Sequence, residues 1–582
     1  MSEAFLGVVS SAKSRRWIGP DADISRHAAA LAQQTGLPEL VTLILARSGV
    51  TPATAEAYLA PSLRDLMPDP STLLDMDKAA AAVCDAVRNR ARIAIFADYD
   101  VDGGASAALL LDWLAQMGGG ATLYIPDRID EGYGPNIPAM ETLADGHDLI
   151  ICVDCGTVSI DPIAAARAKG CDVIVLDHHL GGEVLPDAQA IVNPNRQDET
   201  TPLTYLCAAG VVFMLLAACN RILRAEHKVP DLLAMLDLVA LATVADVAPL
   251  QGLNRAFVRQ GLSIMAQRRR PGLTALADVA GLRSAPVAYH LGFLLGPRVN
   301  AGGRIGKADL GARLLACTDP DEASAIAARL DELNGERREI ETQVRLAAEA
   351  QVESRDITGP LVWAAGEGWH PGVVGIVASR LKDRFNRPAI VIGLQDGIGK
   401  GSGRSVTGVD LGASVATCTR EGLFLTGGGH KMAAGLSLSQ DCLEPAMERL
   451  AELLDKQGAA QAGPSDLKID GLLAPAAATP ELIEALDQAG PFGASAPAPR
   501  IALSAQRVTF AKRAGETHLR LTLSDGVGKI DAIAFGAFET PMGELLENHN
   551  GRPVHVAGRL EIDDWGGRRK AKLRVEDAAP AE

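Results

Sequence analysis

Aspartate and histidine side chains stand at the ends of three separate apolar runs in this 582-residue sequence. The first run, RIAIFAD, continues as DYDVDGG, so its aspartates recur at every second position. The other two runs are DLIICVD and DVIVLDHH. Carboxylate oxygens with some imidazole nitrogen are ligands that suit Mn²⁺ or Mg²⁺. The residues concerned are Asp98, Asp100, Asp102, Asp154, His178 and His179.

The three runs, at residues 92–98, 148–154 and 172–177, have the length and composition of buried β-strands. Helix-like segments separate them, which predicts a parallel sheet with right-handed crossovers. Because the carboxyl ends of parallel strands meet at one edge, the side chains that follow the strands should converge there. Carboxylates that lie so close repel one another unless cations intervene.

Convergence of this kind predicts a two-metal centre. Asp154 follows a neighbouring strand and is therefore placed to bridge two ions about 3.5–4 Å apart, the spacing of two-metal hydrolases. Such a pair activates a water and stabilises both the attacking and the leaving oxygens of a phosphate ester. The alternative is that strand-end aspartates only cap the helices that follow. Three of them, together with two histidines, favour the metal centre.

A further candidate ligand, Asp246, lies within the apolar run LVALATVADVAPL. This run contains no basic residue, so a buried carboxylate there needs a cation, a metal ion or a hydrogen-bond donor from elsewhere. The alternative is an exposed acid at a helix end, just before Pro249.

A chain of this length should contain several domains. The predicted fold class is α/β: a parallel-sheet domain is joined by a long helix to a second, smaller α/β domain, and a C-terminal β-barrel follows. An OB-fold is the best single choice for the barrel. The expected boundaries are 1–80 for an N-terminal lead-in segment, 81–318 for the first α/β domain, 319–357 for the connecting helix, 358–458 for the second α/β domain and 467–580 for the barrel.

The net charge of −16 neither requires nor excludes nucleic acid as a partner, since local patches of Lys and Arg are enough to bind phosphates. No stretch of about 18 or more apolar residues is free of charge, so we expect no membrane span. The start, MSEAFLGVV, has no basic region before an apolar core, and we expect a cytoplasmic location. Nine scattered cysteines suit that reducing compartment.

Four segments that carry these residues resemble the motifs of the DHH phosphoesterase superfamily, in the order and rough spacing of its RecJ family. The segments are DYDVDG, CVDCG, VLDHH and VADVAPL. GPRVNAGGRIGKADLG resembles the signature at the end of the RecJ catalytic domain. GWHPGVVGIVASRL, GSGRSVTGVDL and GGGHKMAAG resemble its second domain, of the DHHA1 type. Small departures, such as Ala97 and the GGAS that follows the first motif, remove no ligand.

The resemblance implies a DHH catalytic domain that binds two Mn²⁺ or Mg²⁺ ions. The implied ligands are Asp100, Asp102, Asp154, His178 and Asp246, with Asp98 as a supporting or direct ligand. It places His179 beside the first histidine, in contact with the scissile phosphate. The implied activity is 5′→3′ exonucleolytic hydrolysis of single-stranded DNA to 5′-mononucleotides in DNA repair and recombination. The implied enzyme is a monomer that works with a single-stranded-DNA-binding protein and a helicase.

Glycine-rich segments of the second domain are candidates for binding phosphates. Glycine lets backbone N–H groups approach a phosphate closely, and nearby cationic side chains add charge-assisted contacts. The alternatives are a plain loop for the glycines and salt bridges for the arginines. The candidate substrate-binding residues of this domain are His370, Arg404, Ser405, Gly428, Gly429, His430 and Lys431. The last motif of the first domain adds Arg298, Asn300 and Arg304.

Two other functions remain open at this point. One is a superfamily enzyme with a smaller substrate, an oligoribonuclease or a cyclic-dinucleotide phosphodiesterase, although such enzymes typically lack the long bridging helix and the barrel. The other is a non-catalytic DNA-binding scaffold, which predicts the loss of metal ligands.

Overall fold

The computed structural model describes residues 3–127, 131–355, 359–461, 466–538, 540–564 and 568–581. The chain divides into two compact units. The larger unit is Leu66–Ala462, and the smaller unit combines Met1–Asp65 with Gly463–Glu582. The expected lead-in over residues 1–80 is therefore not a segment of its own, because its first 65 residues share a unit with the C-terminal region. Among the described helices, none is both long and apolar enough to cross a membrane.

The helices are numbered here in chain order. They are α1 Ala22–Thr35, α2 Glu39–Arg47, α3 Ala55–Leu59, α4 Leu63–Leu66, α5 Met76–Arg88, α6 Val101–Gln116, α7 Ile137–Gly146, α8 Ile160–Ala168, α9 Ala208–Leu223, α10 Leu236–Ala245, α11 Gly252–Met265, α12 Pro271–Val279, α13 Ala288–His290, α14 Gly296–Ile305, α15 Leu310–Ala316, α16 Pro320–Glu353, α17 Pro371–Phe385, α18 Leu411–Arg420, α19 Leu443–Asp455, α20 Pro480–Gln488 and α21 Pro541–Glu547.

The strands are numbered in the same way. They are β1 Trp17–Ile18, β2 Ile93–Ala97, β3 Ala121–Tyr124, β4 Leu149–Val153, β5 Asp172–Leu176, β6 Ala190–Val192, β7 Val362–Glu367, β8 Ala389–Gln395, β9 Ile398–Arg404, β10 Thr426–His430, β11 Ala433–Ser439, β12 Leu467–Lys468, β13 Gly471–Leu472, β14 Ile501–Ala514, β15 His518–Ser524, β16 Lys529–Ala534, β17 Val554–Asp563 and β18 Lys570–Pro580.

The first sheet of the larger unit has the order β3-β2-β4-β5-β6, and all its strands are parallel. Every residue of β2 and of β4 is buried, as the continuous apolar runs predict for strands covered on both faces. Ala97 is level with Val153, and Val153 is level with Leu176. The residues that follow these three strands therefore share one edge, and the predicted α/β class is confirmed.

A buried hydrogen-bond chain ties α6 to α9 and to the segment before α10. The indole Nε1 of Trp113 donates to Oδ1 of Asn220 at 2.8 Å, and Nδ2 of Asn220 donates to the carbonyl of Pro230 at 2.9 Å. Trp113 is fully buried and Asn220 is 7% exposed. Since α6 and α9 both begin near the strand ends, this link fixes two helices that carry the site.

The second part of the larger unit begins with α16, a helix of 34 residues that runs without interruption. A five-stranded sheet follows with the order β10-β11-β9-β8-β7, in which only β7 and β8 are parallel. The helices α16 and α17 pack on one face of this sheet, and α18 and α19 pack on the other. This is the predicted smaller α/β domain at the end of a long helix.

The smaller unit contains a barrel in which β14, β15, β16, β18 and β17 pair in that order and β17 pairs back with β14. Leucines from β15 and valines from β17 form its core together with Leu31, Ile44 and Leu45 of the N-terminal helices. The first residues are also tied to the last strand, because Nε1 of Trp17 donates to the buried Asp577 at 3.1 Å. The predicted C-terminal barrel is confirmed, and the N-terminal helices complete its core.

We expect Asn220→Ala to loosen α9 selectively. The substitution leaves the buried indole N–H of Trp113 and the carbonyl of Pro230 without partners, at a cost of about 2–4 kcal/mol. Hydrogen exchange of the α9 amides should accelerate by roughly 30-fold to 1,000-fold. The matched control is Asn89→Ala, at an exposed helix end. Unchanged protection of α9 in the Asn220 variant would show that the link contributes no stability.

Candidate metal centre

The loop after β2 brings the first acidic motif into a tight turn. Asp98 is 4% exposed and directly follows the strand. Asp100 is the N-cap of α6, and its Oδ1 accepts hydrogen bonds from the backbone N–H groups of Asp102 at 2.8 Å and Gly103 at 3.1 Å. A Cβ at Gly103 would lie 2.4 Å from the carbonyl oxygen of Asp98, so only glycine fits there. Helix capping and convergence with the other acids thus occur together at Asp100.

Asp102 is completely buried against the N-terminus of α9. Its two carboxylate oxygens accept hydrogen bonds from the N–H groups of Ala208 at 2.6 Å and Ala209 at 2.8 Å. Burial nevertheless raises the pKa of Asp102, and the charge of Asp100 adds to this effect. The anchoring of α9 by this carboxylate is a role that the sequence analysis missed, because Ala208 is distant in the chain and has no signature of its own.

Asp154 follows β4 and lies at the middle of the cluster. Its backbone has a φ of 60°, in the left-handed region that a non-glycine residue rarely adopts. Oδ1 of Asp154 lies 3.2 Å from Nε2 of His178 and 3.9 Å from Nδ1 of His179. No described residue gives this oxygen a hydrogen bond of acceptable geometry. Burial, together with four neighbouring aspartates, raises the pKa of Asp154 well above its usual range.

Asp177, at the end of β5, orients both histidines. Its Oδ1 accepts from the backbone N–H groups of His178 at 2.7 Å and His179 at 3.1 Å and from Nδ1 of His179 at 2.8 Å. Burial opposes the charged form of Asp177, but the hydrogen bond and charge of His179, with contributions from Thr157 and His178, together outweigh it, and the pKa lies below the usual range. Burial likewise opposes the cation of His179, whereas the bond to Asp177 raises its pKa to about 9. Asp177 was not among the predicted ligands, and its strand-end position was the available signal.

Asp246 reaches the same cluster from the C-terminal end of α10. Its Oδ2 lies 3.9 Å from Nδ1 of His178, so both ring nitrogens of that histidine face carboxylates. Burial, with the charges of Asp102 and Asp100, raises the pKa of Asp246 to about 9. Asp246, the acid of the apolar run, therefore has the histidine and aspartates of the cluster as neighbours and is not simply an exposed acid at a helix end.

Tyr133 is a further neighbour that the sequence did not indicate. Its hydroxyl donates to the backbone carbonyl of Asp154 at 3.2 Å and lies 3.3 Å from both ring nitrogens of His179. The flanking Gly132 and Gly134 both have positive φ, which sets the turn that presents this side chain.

The side chains of the cluster form three overlapping groups, within each of which the candidate ligand atoms lie no more than 4.8 Å apart. Asp154 and His178 each belong to two groups, as expected of residues between two neighbouring cation positions. An orphaned oxygen on Asp154 and a set of oxygen and imidazole donors fit divalent cations. The groups are Asp98 with Asp100 and Asp154, Asp102 with His178 and Asp246, and Asp154 with His178 and His179.

The predicted substrate residues of α14 have structural partners. Arg298 is 8% exposed, and it donates from Nε to Asp331 and from Nη1 to the carbonyl of Leu294. Oδ1 of Asn300 accepts from the N–H of Val101 at 3.1 Å, which ties α14 to the start of α6. The salt-bridge alternative therefore holds at Arg298, which clamps α14 to α16.

Two other arginines, Arg304 and Arg404, lie close to the first turns of α17. Nη1 of Arg304 donates to the carbonyl of Gly372 at 3.0 Å. Nη2 of Arg404 lies 3.2 Å from the position that a Cβ would take at Gly375, one turn further along. His370 caps this helix, since its Nδ1 accepts from the N–H of Gly372 at 3.0 Å. The first α/β domain and the second each contribute one arginine to this helix start.

The glycine-rich strand β10 lies at the edge of the second sheet. Gly428, Gly429, His430 and Lys431 are exposed, and Gly429 has a φ of 151° where a Cβ would collide with the carbonyl of Ala433. Ala433 on β11 is level with both His430 and Arg404, so these three side chains leave the same face of the sheet.

Ser405 does not join them. It is fully buried and its hydroxyl donates to the carbonyl of Val409 at 2.8 Å, so it offers no donor to a substrate. The sequence predicted that this serine binds phosphate, but the residue directly after β9 points into the protein interior.

Comparison with known proteins covers almost the whole chain. Residues 92–243 match the DHH family, N-terminal domain, residues 358–457 match the DHHA1 domain, and residues 469–577 match the RecJ OB domain. The single-stranded-DNA-specific exonuclease RecJ of Dickeya dadantii is 39% identical over 571 residues, which are 94% of this chain and 96% of that protein. The protein of the same name from Escherichia coli is 37% identical with the same coverage of both chains.

Solved structures agree with these matches. The crystal structure of RecJ from Thermus thermophilus in complex with Mn²⁺ superposes with a TM-score of 0.80 and 28% identity, over 97% of this chain and 80% of that one. The Mg²⁺ complex of the same protein gives a TM-score of 0.74. The likeness extends through both α/β domains and the barrel, and this chain belongs to the RecJ family of single-stranded-DNA-specific exonucleases.

Proposed function

We propose that the chain hydrolyses single-stranded DNA from its 5′ end to 5′-mononucleotides, with two divalent cations held by the cluster. The observation that carries the proposal is the sharing of Asp154 and His178 between overlapping groups of ligand atoms. Membership of the family makes the chain a metal-dependent exonuclease. The number of ions, the assignment of the ligands and the direction of digestion are the parts that we propose.

The residues of the cluster have separable tasks in this proposal. When bound, Mn²⁺ or Mg²⁺ supplies an activated water and stabilises charge on the oxygens of the scissile phosphate. Asp98, Asp100, Asp102, Asp154, His178 and Asp246 would hold the ions. Asp177 accepts from Nδ1 of His179 and keeps this ring oriented beside the cluster, where it would contact a phosphate oxygen.

The start of α17 is the proposed site of the 5′-terminal phosphate. Arg304 and Arg404 both lie over it, His430 projects from the same sheet face as Arg404, and a helix N-terminus favours anions. A terminal phosphate carries more negative charge than an internal diester, so it is the natural occupant of such a site. Ser405 and Arg298 are left out because both are buried, whereas Arg304 and Arg404 are partly exposed although they also have partners within the protein.

The barrel would add to the grip on the DNA strand. Its strands β14 and β15 carry exposed cationic residues and Phe510, which is 47% exposed, as in OB-folds that bind single strands by phosphate contacts and stacking. A phosphodiesterase for dinucleotides would not need a barrel that holds a long strand. A non-catalytic DNA-binding scaffold would not need metal-ligand side chains that converge. Because only unpaired DNA would be a substrate, the proposed partners are a helicase and a single-stranded-DNA-binding protein. The proposed enzyme is a monomer that acts in the cytoplasm, in DNA repair and recombination.

Direction and product are tested together by digesting one oligonucleotide labelled at either end. With Mn²⁺, a 5′ label should appear at once as a mononucleotide, whereas a 3′ label should pass through a ladder of shortening strands. Release of a labelled mononucleotide first from the 3′ end would refute the proposed direction.

We expect Asp246→Asn to stabilise the metal-free enzyme while it abolishes cleavage. Because the pKa of Asp246 is raised to about 9, its ionisation opposes folding increasingly as pH rises from about 4 to 9, and the Asn variant escapes this effect. In EDTA its melting temperature should exceed that of the wild type by about 2–4 °C for each kcal/mol relieved, more at pH 8 than at pH 5. Stabilisation by added Mn²⁺ should shrink, and cleavage should fall by about 100-fold or more.

The matched control for Asp246→Asn is Asp396→Asn, at an exposed turn away from the cluster. It should melt like the wild type in EDTA and in Mn²⁺. If Asp246→Asn melts lower than the wild type in EDTA at pH 8, the cluster is not held together against mutual repulsion, and our account of it is wrong.

We expect Arg404→Ala to raise the KM for 5′-phosphorylated strands about tenfold to a hundredfold, and far less for 5′-hydroxyl strands. The loss corresponds to one charge-assisted contact of roughly 1.5–3 kcal/mol. Steady-state curves on one oligonucleotide with and without its 5′ phosphate measure the difference. The control is Lys400→Ala, an exposed cation on the same strand. Equal losses on both substrates would assign Arg404 to an internal phosphate.

A further inference from the structure

Two stacked aromatic side chains are exposed at α13 and in the turn that joins it to α14. The ring centroids of Tyr289 and Phe293 are 4.9 Å apart, and the ring planes differ by 23°. Tyr289 is 56% exposed and Phe293 is 72% exposed, in a protein whose aromatic content is only 4%. Tyr289 lies in α13, and Phe293 lies in the π-helical turn Leu291–Leu295 that follows, a rare conformation that is frequent at functional sites.

The turn that contains Phe293 packs on α10, the helix that ends at Asp246. A Cβ at Gly292 would lie 3.4 Å from a methyl group of Val244, and one at Gly296 would lie 3.3 Å from Cβ of Ala245. The π-helical turn therefore packs on the last turn of α10, where the helix ends at Asp246. The next residue, Val247, is 70% exposed and adds to the apolar surface.

The aromatic pair is also connected to the acidic loop through α14. That helix begins directly after the π-helical turn and carries Asn300, whose side chain binds the backbone of Val101. Phe293 precedes Asn300 by seven residues, a rise of about 10 Å along a helix. The bond at Asn300 links the helix that follows the π-helical turn to the start of α6, which Asp100 caps.

The segment that carries the rings is apolar and has no charged residue. Residues 287–297 read VAYHLGFLLGP and contain no Lys, Arg, Asp or Glu. Burial lowers the pKa of His290, which keeps this imidazole neutral near pH 7. Such a segment has no cationic side chain that could bind a phosphate. It matches the flat, apolar face of a nucleobase, for which aromatic stacking contributes roughly 1–3 kcal/mol.

We propose that Tyr289 and Phe293 form a platform on which one base of the DNA strand stacks beside the metal centre. The inference rests on the proposed hydrolysis of single-stranded DNA and adds the part of the protein that holds a base. The two rings and the exposed Val287 are few beside the roughly 800 Å² per partner of a stable protein interface. Their π-helical turn packs on the last turn of α10, which ends at the metal-ligand candidate Asp246, and this favours the substrate as the occupant.

A stacking platform also bears on the choice of single strands. A base in a duplex gives up its stacking and its pairing before it can lie against Phe293, whereas an unpaired base gives up less. Stacking reads no base edge, so it leaves the enzyme indifferent to sequence.

The test is a cycle that combines a change in the protein with a change in the strand. Binding to the full-length protein is measured in EDTA, with strands that carry one abasic residue at each position in turn. For the wild type, one position should weaken binding by roughly 5-fold to 150-fold, the equivalent of one stacked base. In Phe293→Leu and in Tyr289→Leu the intact strand should bind more weakly, and that position should lose its effect. Phe293→Trp should restore it.

The control is Leu346→Ala, which removes a comparably exposed apolar side chain from α16 and should leave the abasic profile unchanged. If the wild type digests strands but the leucine variants keep the full abasic effect, the platform is refuted while the proposed function stands. If the wild type neither binds nor digests strands, the proposed function itself fails. If the leucine variants change the molecular mass in solution and not the abasic profile, the rings pack against a second copy of the chain, and the platform is again refuted.

Discussion

Mutual repulsion among buried carboxylates is the constraint on which the rest of the larger unit depends. Asp98, Asp102 and Asp154 are almost completely buried, and Asp246 reaches the same space from another helix. Each disfavours the charge of its neighbours, and burial raises the pKa of several of them. Such a cluster persists in a folded protein because the surrounding elements hold it in place, and because divalent cations turn the repulsion into binding.

The elements around the cluster supply that restraint. Backbone N–H groups at the starts of α6 and α9 neutralise part of the charge of Asp100 and Asp102. Asp177 fixes the histidines, and α14 closes over the loop after β2 through Asn300. These hydrogen bonds at the helix starts, at Asp177 and at Asn300 therefore keep the ligand atoms close together even without an ion.

In the proposed function, the second α/β domain would meet the DNA strand away from the site of cleavage. Arg304 precedes the long helix in the chain and Arg404 follows it, yet both lie over the start of α17. The proposed substrate contacts would thus be divided among an anionic metal centre, a cationic helix start and an uncharged aromatic pair. Such a division would explain why a chain with a net charge of −16 can belong to a family of DNA exonucleases.

The sequence by itself determined the α/β class, the edge of the sheet where the acids meet and the barrel, because strand periodicity and strand-end position are local properties. It could not determine which polar side chains have internal partners. Arg298 and Ser405 look like substrate contacts in their motifs, but Asp331 and the carbonyl of Val409 occupy them. Nor could it assign residues 1–65 to the same unit as the barrel, or pack the π-helical turn that contains Phe293 on the last turn of α10. These facts depend on contacts between residues far apart in the chain, which only the tertiary structure decides.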